Sequence, residues 1–262
     1  SVNYPGAAHL ACAAAGRVGA GLVTGAVPEP VWAPTAAKVS EPTWLPLTGG
    51  GDTGGAIDET ALSTVAESLA GYTAFVLGCG LGQHSTTLRF VQRLLTEADL
   101  PATVIDADGL NCLAQIHDWA QVLPAQTILT PHPAEMARLC NRSVREIVAD
   151  RWGFARRMAE EQGVIVLLKG PYTVVADPDG PLAVLPIATA ALATAGTGDV
   201  LAGSIGGLLA QGVPPFQAAC LGAWLHGRAG EQCAAEIGVS GVLASDLLHR
   251  LPLVIDQMRV SV

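Results

Sequence analysis

Short apolar runs of strand length alternate along this chain with longer stretches in which apolar residues recur at helical spacing, the pattern of parallel strands joined by helical crossovers. An alanine-rich helix is predicted at Ala7 to Arg17, an apolar strand at Gly21 to Val27 and a short strand at Thr43 to Leu47. The tract Gly49 to Gly55 then reads as a flexible surface connection, because no suitable helix follows it at once. Further on, the pattern gives a helix at Glu59 to Ala70, a strand at Ala74 to Gly78, a helix at Ser85 to Ala98 and a strand at Thr103 to Asp106. A short helix is expected after Asp108, a strand at Thr127 to Leu129, and one long helix from Val144 to Gln162 capped by Ser143. The last third predicts strands at Val164 to Leu168, Tyr172 to Ala176 and Leu182 to Leu185. Helices follow at Val200 to Ala210, Pro215 to Glu236 and Ala244 to Met258. The expectation is a single α/β domain with helices on both faces of a mostly parallel sheet, without fixed-period repeats or a linker.

Composition narrows the function. The 262 residues are half apolar, enough for a large core. Against 14 basic residues stand 23 acidic ones, a net charge of −9 with no cluster of Lys or Arg, which argues against nucleic acid or an anionic membrane as partner. Apolar runs are broken by Gly, Pro or charge before reaching the ~20 residues that span a bilayer, so a soluble protein is expected. Six cysteines, at positions 12, 79, 112, 140, 220 and 233, lack the short paired spacings of zinc or redox sites and read as buried thiols in a reducing cytoplasm.

The candidate chemistry sits where open α/β sheets bind ligands, beyond the carboxyl ends of the strands. Gly196-Thr197-Gly198-Asp199 runs straight into a predicted helix, so free N–H groups and the helix dipole would attract an anion there. Asp199 in that first turn either caps the helix or takes a proton from a hydroxyl beside a bound phosphate. Gly78-Cys79-Gly80-Leu81-Gly82 is a plain turn or a close backbone approach to a ligand. Asp106 and Asp108 are candidates to hold magnesium through water or to bind hydroxyls, with helix capping the competing reading for Asp108 and Asn111. In Thr130-Pro131-His132-Pro133-Ala134-Glu135, two prolines bracket His132 and restrict its backbone, while Glu135 is placed for the first turn of a helix. Lys169-Gly170-Pro171-Tyr172-Thr173 sets a cation and an open backbone at the end of another strand, suited to a nucleotide phosphate or to plain solvent exposure. The remaining histidines have no spaced partner set, and no metal ligand is assigned.

Taken in order, Tyr4-Pro5-Gly6-Ala7, Ala20-Gly21-Leu22-Val23-Thr24, Gly78-Cys79-Gly80, Asp106-Ala107-Asp108, Leu129-Thr130-Pro131-His132-Pro133, Lys169-Gly170 and Gly196-Thr197-Gly198-Asp199 resemble the ADP- or ATP-dependent NAD(P)H-hydrate dehydratases. The resemblance spans nearly the whole chain and implies a ribokinase-like fold. It implies that (6S)-NAD(P)HX, the hydrated and damaged form of NADH or NADPH, is restored at the expense of ADP or ATP, with Mg2+ bridging the donor phosphates. By motif, Ala7, Gly80, His132 and Asp199 would contact the hydrated dinucleotide. Lys169, Gly170, Pro171, Tyr172, Thr173, Gly196, Thr197 and Gly198 would contact the nucleotide, with Asp199 the catalytic base. A homo-oligomer, a tetramer by analogy, and a functional link to an NAD(P)HX epimerase are also implied.

The chain departs from that family in two places. Ala134 stands where the family usually has glycine. The family's sheet also normally begins with a strand ending in a Gly-Gly-Ser turn just before Tyr4, so the domain is expected to lack that first strand and the native polypeptide to extend upstream. Two other readings differ in kind: a vitamin-precursor or sugar kinase of the ribokinase superfamily, which shares the anion loop and Asp199, and a nucleotide-binding regulator without catalysis.

Overall fold

The structure is a computed structural model and describes residues 1–48 and 55–260. The predicted glycine tract therefore lies, apart from Gly55, outside the described residues. The chain opens with helix α1 (Pro5–Arg17), begun by a proline at its first position, where no N–H is needed. A parallel two-stranded sheet, β1 (Thr24–Pro28) and β2 (Thr43–Leu47), follows with α2 (Glu29–Ala36) between its strands. The pattern does not reveal α2, because Pro34 inside it reads as a helix breaker.

The main sheet has six strands in sequence order: β3 (Ala74–Leu77), β4 (Ala102–Ile105), β5 (Thr127–Leu129), β6 (Ile165–Leu168), β7 (Val174–Ala176) and β8 (Leu182–Val184). Strands β3 to β6 pair in parallel, and β7 and β8 return antiparallel through tight connections. Helices α3 (Leu62–Ser68), α4 (Ser85–Glu97), α5 (Asp108–Leu113), α6 (Pro133–Leu139), α7 (Val144–Ala149) and α8 (Arg151–Gln162) lie between the strands. The long helix expected from Val144 to Gln162 is thus two. Asp150 leaves helical geometry (φ −142°, ψ 60°) and its carboxylate caps the new start at Gly153 N, 3.0 Å away.

Alternating strand residues supply two cores. Ile105, Leu129, Val166, Leu168 and Val174 pack with α4 to α8, while Val104, Ile128, Ile165, Leu167 and Val175 pack with α9 (Thr197–Ala210), α10 (Pro215–Ile237) and α11 (Ala244–Val260). Each such fully buried Leu or Ile contributes about 2 kcal/mol of hydrophobic stabilisation. Helix α1 crosses α9 so closely that any side chain at Gly203 would collide with the Ala11 carbonyl. That crossing seats the start of α9 against α1, with the Gly196 backbone beside Leu10 and Ala244.

Among the described residues the two sheets do not join. Strands β1 and β3 both line a groove of about 350 Å³ that Gly206 and Gly207 of α9 also border. Ala74, Phe75 and Val76 of β3 are consequently half-buried, whereas β5, β6 and β7 are wholly buried.

Candidate active site

The ends of β3, β4, β5 and β6 and the start of α9 bring the predicted residues to one edge. The Lys169 ammonium, just past β6, lies 2.6 Å from Asp106 Oδ1, just past β4, and 3.8 Å from Glu135 Oε2. Gly198 faces the same pair: a Cβ built on it would stand 3.5 Å from Lys169 Nζ and 3.7 Å from Asp106 Oδ2. Burial pulls the Lys169 pKa down, but Asp106 and Glu135 more than offset this and the net shift is upward, so the ammonium is firmly charged.

His132 is positioned as its bracketing prolines suggest. It is the N-cap of α6, accepting from Ala134 N at 3.1 Å through Nδ1, while Glu135 reaches back to the His132 N–H at 2.8 Å in a capping box. Its Nε2 lies 3.3 Å from Glu135 Oε1 on an otherwise exposed ring. Burial, reinforced by Lys169, lowers the His132 pKa and keeps the ring neutral near pH 7. Glu135 is nearly inaccessible, and burial pushes its carboxyl up to about 7 against the pull of Lys169. Glu135 is both a helix-cap residue and part of the charge cluster, two roles that the sequence left undivided.

Asp199 is half-buried in the first turn of α9, where burial pushes its carboxyl up to about 6. A hydrogen bond from the Cys79 thiol and the field of Lys169 work the other way and favour the carboxylate. Through Cys79 the acid is tied to its neighbour Gly80, and Gly80 in turn abuts α1: a Cβ there would stand 2.9 Å from Ala7 Cβ and 2.7 Å from the Tyr4 carbonyl. Ala7 and Gly80 form one small-residue contact, joined to Asp199 through Cys79, and Lys169 and Asp106 form a charged cluster against Gly198 whose field reaches Asp199.

Some candidates carry structural duties. The Thr197 hydroxyl donates to the Leu192 and Thr194 carbonyls at 2.8 and 2.9 Å and its N–H to Thr194 O at 3.3 Å, so both its donors serve the loop itself. The N–H groups of Gly198 and Asp199 are then the first-turn donors open to an anion. Asp108 accepts from Gly82 N, Gln83 Nε2 and Asn111 Nδ2 at 2.9, 2.7 and 3.1 Å, so it pins the Gly82 loop and does not cap α5, whose N-cap, Ala107, makes no side-chain cap bond. Two residues escaped the sequence reading. His226 of α10 lies buried against the Thr197 backbone, where desolvation pushes it down to about 4 and keeps it neutral. Arg151, hidden inside the helix that proved to be two, reaches the Lys169 loop.

Among the described residues, no three His, Cys, Asp or Glu side chains are grouped as ligands for a metal ion. Asp106, Glu135 and Asp199 nonetheless outnumber the one ammonium between them, which suits a magnesium ion that brings most of its ligands as phosphate and water.

A family model described as NAD(P)H-hydrate dehydratase matches residues 1–253. The chain belongs to that family. It is 41% identical over 262 residues to the bifunctional NAD(P)H-hydrate repair enzyme of Moorella thermoacetica, covering 100% of this chain and 49% of that protein. The chain spans about half the length of the curated relatives it matches first. Among solved structures, the ADP/ATP-dependent NAD(P)H-hydrate dehydratase of Bacillus subtilis, co-crystallised with ATP/Mg2+, superposes with a TM-score of 0.81 at 31% identity, over 98% of this chain and 86% of that one. A ribokinase-like superfamily protein of Enterococcus faecalis superposes with a TM-score of 0.83 at 22% identity, over 97% and 84% of the two chains. The fold is therefore ribokinase-like, as the motif order implied.

Proposed function

We propose that this chain dehydrates (6S)-NAD(P)HX to NADH or NADPH with ADP or ATP as phosphoryl donor. The observation that carries the reading is the placement of Asp199, a carboxylate of raised pKa joined through Cys79 to the small-residue contact Ala7–Gly80 and reached by the field of the cationic, anion-binding side formed by Lys169 and Gly198. The Asp199 carboxylate takes the proton of the ring hydroxyl, and the freed oxygen attacks the terminal phosphorus of the donor, releasing AMP from ADP or ADP from ATP. Hydroxide is a poor leaving group at neutral pH; the phosphate ester that replaces it departs as inorganic phosphate as the ring nitrogen donates its electron pair, and loss of a proton to water from the adjacent ring carbon then restores the ring double bond of the reduced nicotinamide. The N–H groups of Gly198 and Asp199 and the Lys169 ammonium oppose the charge on the transferring phosphoryl group. Magnesium, held through Asp106 and Glu135 and by the donor phosphates, would supply further neutralisation of that charge. Ala7, Gly80 and His132 contact the dinucleotide, while Lys169 to Thr173 and Gly196 to Gly198 contact the adenine nucleotide.

The test is absorbance at the reduced-nicotinamide band after mixing protein, enzymatically hydrated NADH, magnesium, and ADP or ATP separately. Recovery with one donor and release of inorganic phosphate is expected. A phosphorylated small molecule accumulating in its place would give the site to a kinase.

The same reading makes the protein a homo-oligomer of the reducing cytoplasm with a functional link to an NAD(P)HX epimerase; sedimentation velocity tests for the tetramer. It also makes residues 1–262 one domain whose sheet is completed by a strand between β1 and β3, a reading supported by the groove there. Hydrogen exchange tests this: β3 amides that exchange as fast in the longest natural polypeptide as in this chain would exclude it.

A further inference from the structure

The loop from Leu168 to Thr173 connects β6 to β7 and carries Lys169 on its way to Asp106. Its carbonyls from Leu168 to Pro171 are all engaged by side chains. Arg151 Nη1 donates to Pro171 O at 2.5 Å, and Arg151 Nη2 donates to Leu168 O and Lys169 O at 3.1 and 3.3 Å. The Thr173 hydroxyl takes the fourth of these, Gly170 O, at 3.0 Å. Lys169 is thus held at both backbone ends, its N–H by Pro131 O at 2.8 Å and its carbonyl by Arg151, while its side chain crosses to the acids.

The geometry depends on two sequence features outside the recognised motifs. The break at Asp150 makes Arg151 the first residue of α8, free to project from the helix start toward the loop. Gly170 (φ +141°) lets the guanidinium close in, since a Cβ there would stand 2.9 Å from Arg151 Nη2. Carbonyl oxygens carry partial negative charge, and a loop presenting several of them to a nucleotide phosphate would repel it. A planar guanidinium with several donors is suited to gathering them, and an ammonium is not its equivalent. Arg151 Nε is buried without a hydrogen-bond partner, so the group is fixed here by its two terminal nitrogens.

We infer that Arg151 is a positioning residue of the nucleotide site: by gathering the Leu168, Lys169 and Pro171 carbonyls onto one guanidinium, it sets the course of the loop that delivers Lys169 and turns that loop's negative dipoles from the incoming phosphates. The inference rests on the proposal that this loop binds the adenine nucleotide.

The experiment titrates a fluorescent ADP derivative, mant-ADP, into the full chain and its Arg151→Met and Arg151→Lys variants. Loss of charge-assisted hydrogen bonds on this scale weakens mant-ADP binding about tenfold in Arg151→Met, with part of the affinity regained in Arg151→Lys. In turnover, the KM for the nucleotide rises by a larger factor than the KM for hydrated NADH. Equal mant-ADP affinity in wild type and Arg151→Lys, or both KM values rising in parallel, overturns the inference and leaves the dehydratase reading standing. Wild-type protein that binds neither mant-ADP nor mant-ATP overturns that reading and the inference with it. Should Arg151→Met not fold, Arg151→Lys gives the deciding comparison.

Discussion

Lys169 Nζ and Asp106 Oδ1 lie 2.6 Å apart across 63 positions of sequence, and Glu135 shares the same ammonium. Two carboxylates against one cation give this pair a structural role beside the nucleotide-binding role proposed for Lys169. Replacing Lys169 by Met leaves both acids buried beside an apolar chain, and breaking a buried pair in this way costs about 3 kcal/mol. Denaturant unfolding is expected to show that loss in Lys169→Met and a partial return in Lys169→Met/Asp106→Asn. An unchanged midpoint in the single variant would refute the pairing.

In the proposed mechanism Asp199 acts as a base only when ionised, so dehydration at saturating substrates should rise with pH along a limb near 6. Asp199→Asn should lower kcat by about a thousandfold while mant-ADP still binds. The Cys79 thiol bond favours the carboxylate, so Cys79→Ala should move the limb to higher pH. A limb unmoved in that variant would show that the thiol does not act on Asp199.

Glu135 holds its proton to about 7 when folded and to about 4.5 when unfolded. Between these values the folded state binds more protons, so this group's contribution is present below pH 4.5 and lost as pH rises through 7. His226, kept neutral by burial down to about 4, slopes the opposite way over an overlapping window. The measurable quantity is therefore the unfolding free energy of wild type minus that of Glu135→Gln, which should fall by about 3 kcal/mol across the Glu135 window. A difference that stays constant with pH would show that Glu135 is an ordinary carboxylate.

Gly80 adopts φ +68° against Ala7 and the Tyr4 carbonyl. Alanine there meets both the left-handed backbone and those atoms, and stability should fall by about 2 kcal/mol. Because the proposed function puts Gly80 on the dinucleotide side, the KM for hydrated NADH should rise more than the KM for the nucleotide. A reversed order would exchange the two halves of the site.

Much of this was legible in the chain. The strands at Ala74, Thr103, Thr127 and Val164 lie within a residue or two of their expected starts, because buried parallel strands read as plain apolar runs. The anion loop, the bracketed His132 and Lys169 all came to the expected edge for the same reason: a strand ends just before each of the last two, and a helix begins just after the first. Arg151 did not show, because apolar spacing continues through Asp150 and only the capping chemistry of that one aspartate marks a new helix. The Tyr172 to Ala176 strand starts later than expected, at Val174, since Tyr172 takes a positive φ (+53°) within the loop. Glu135 read as a first-turn acid; that its carboxyl also meets Lys169 depends on a contact 34 positions away in sequence, which no local pattern records.

The groove between β1 and β3 has a consequence for handling the protein. A strand edge with unpaired N–H and C=O groups is a template for any extended chain that reaches it. Both walls of the groove are such edges, and the half-buried Phe75 and Val76 add an apolar surface. Wherever that slot is left unfilled at high concentration, the molecule is thus prone to recruit β-strands from its own neighbours, so solubility should follow how well the slot is filled and depend little on the strength of the site's chemistry.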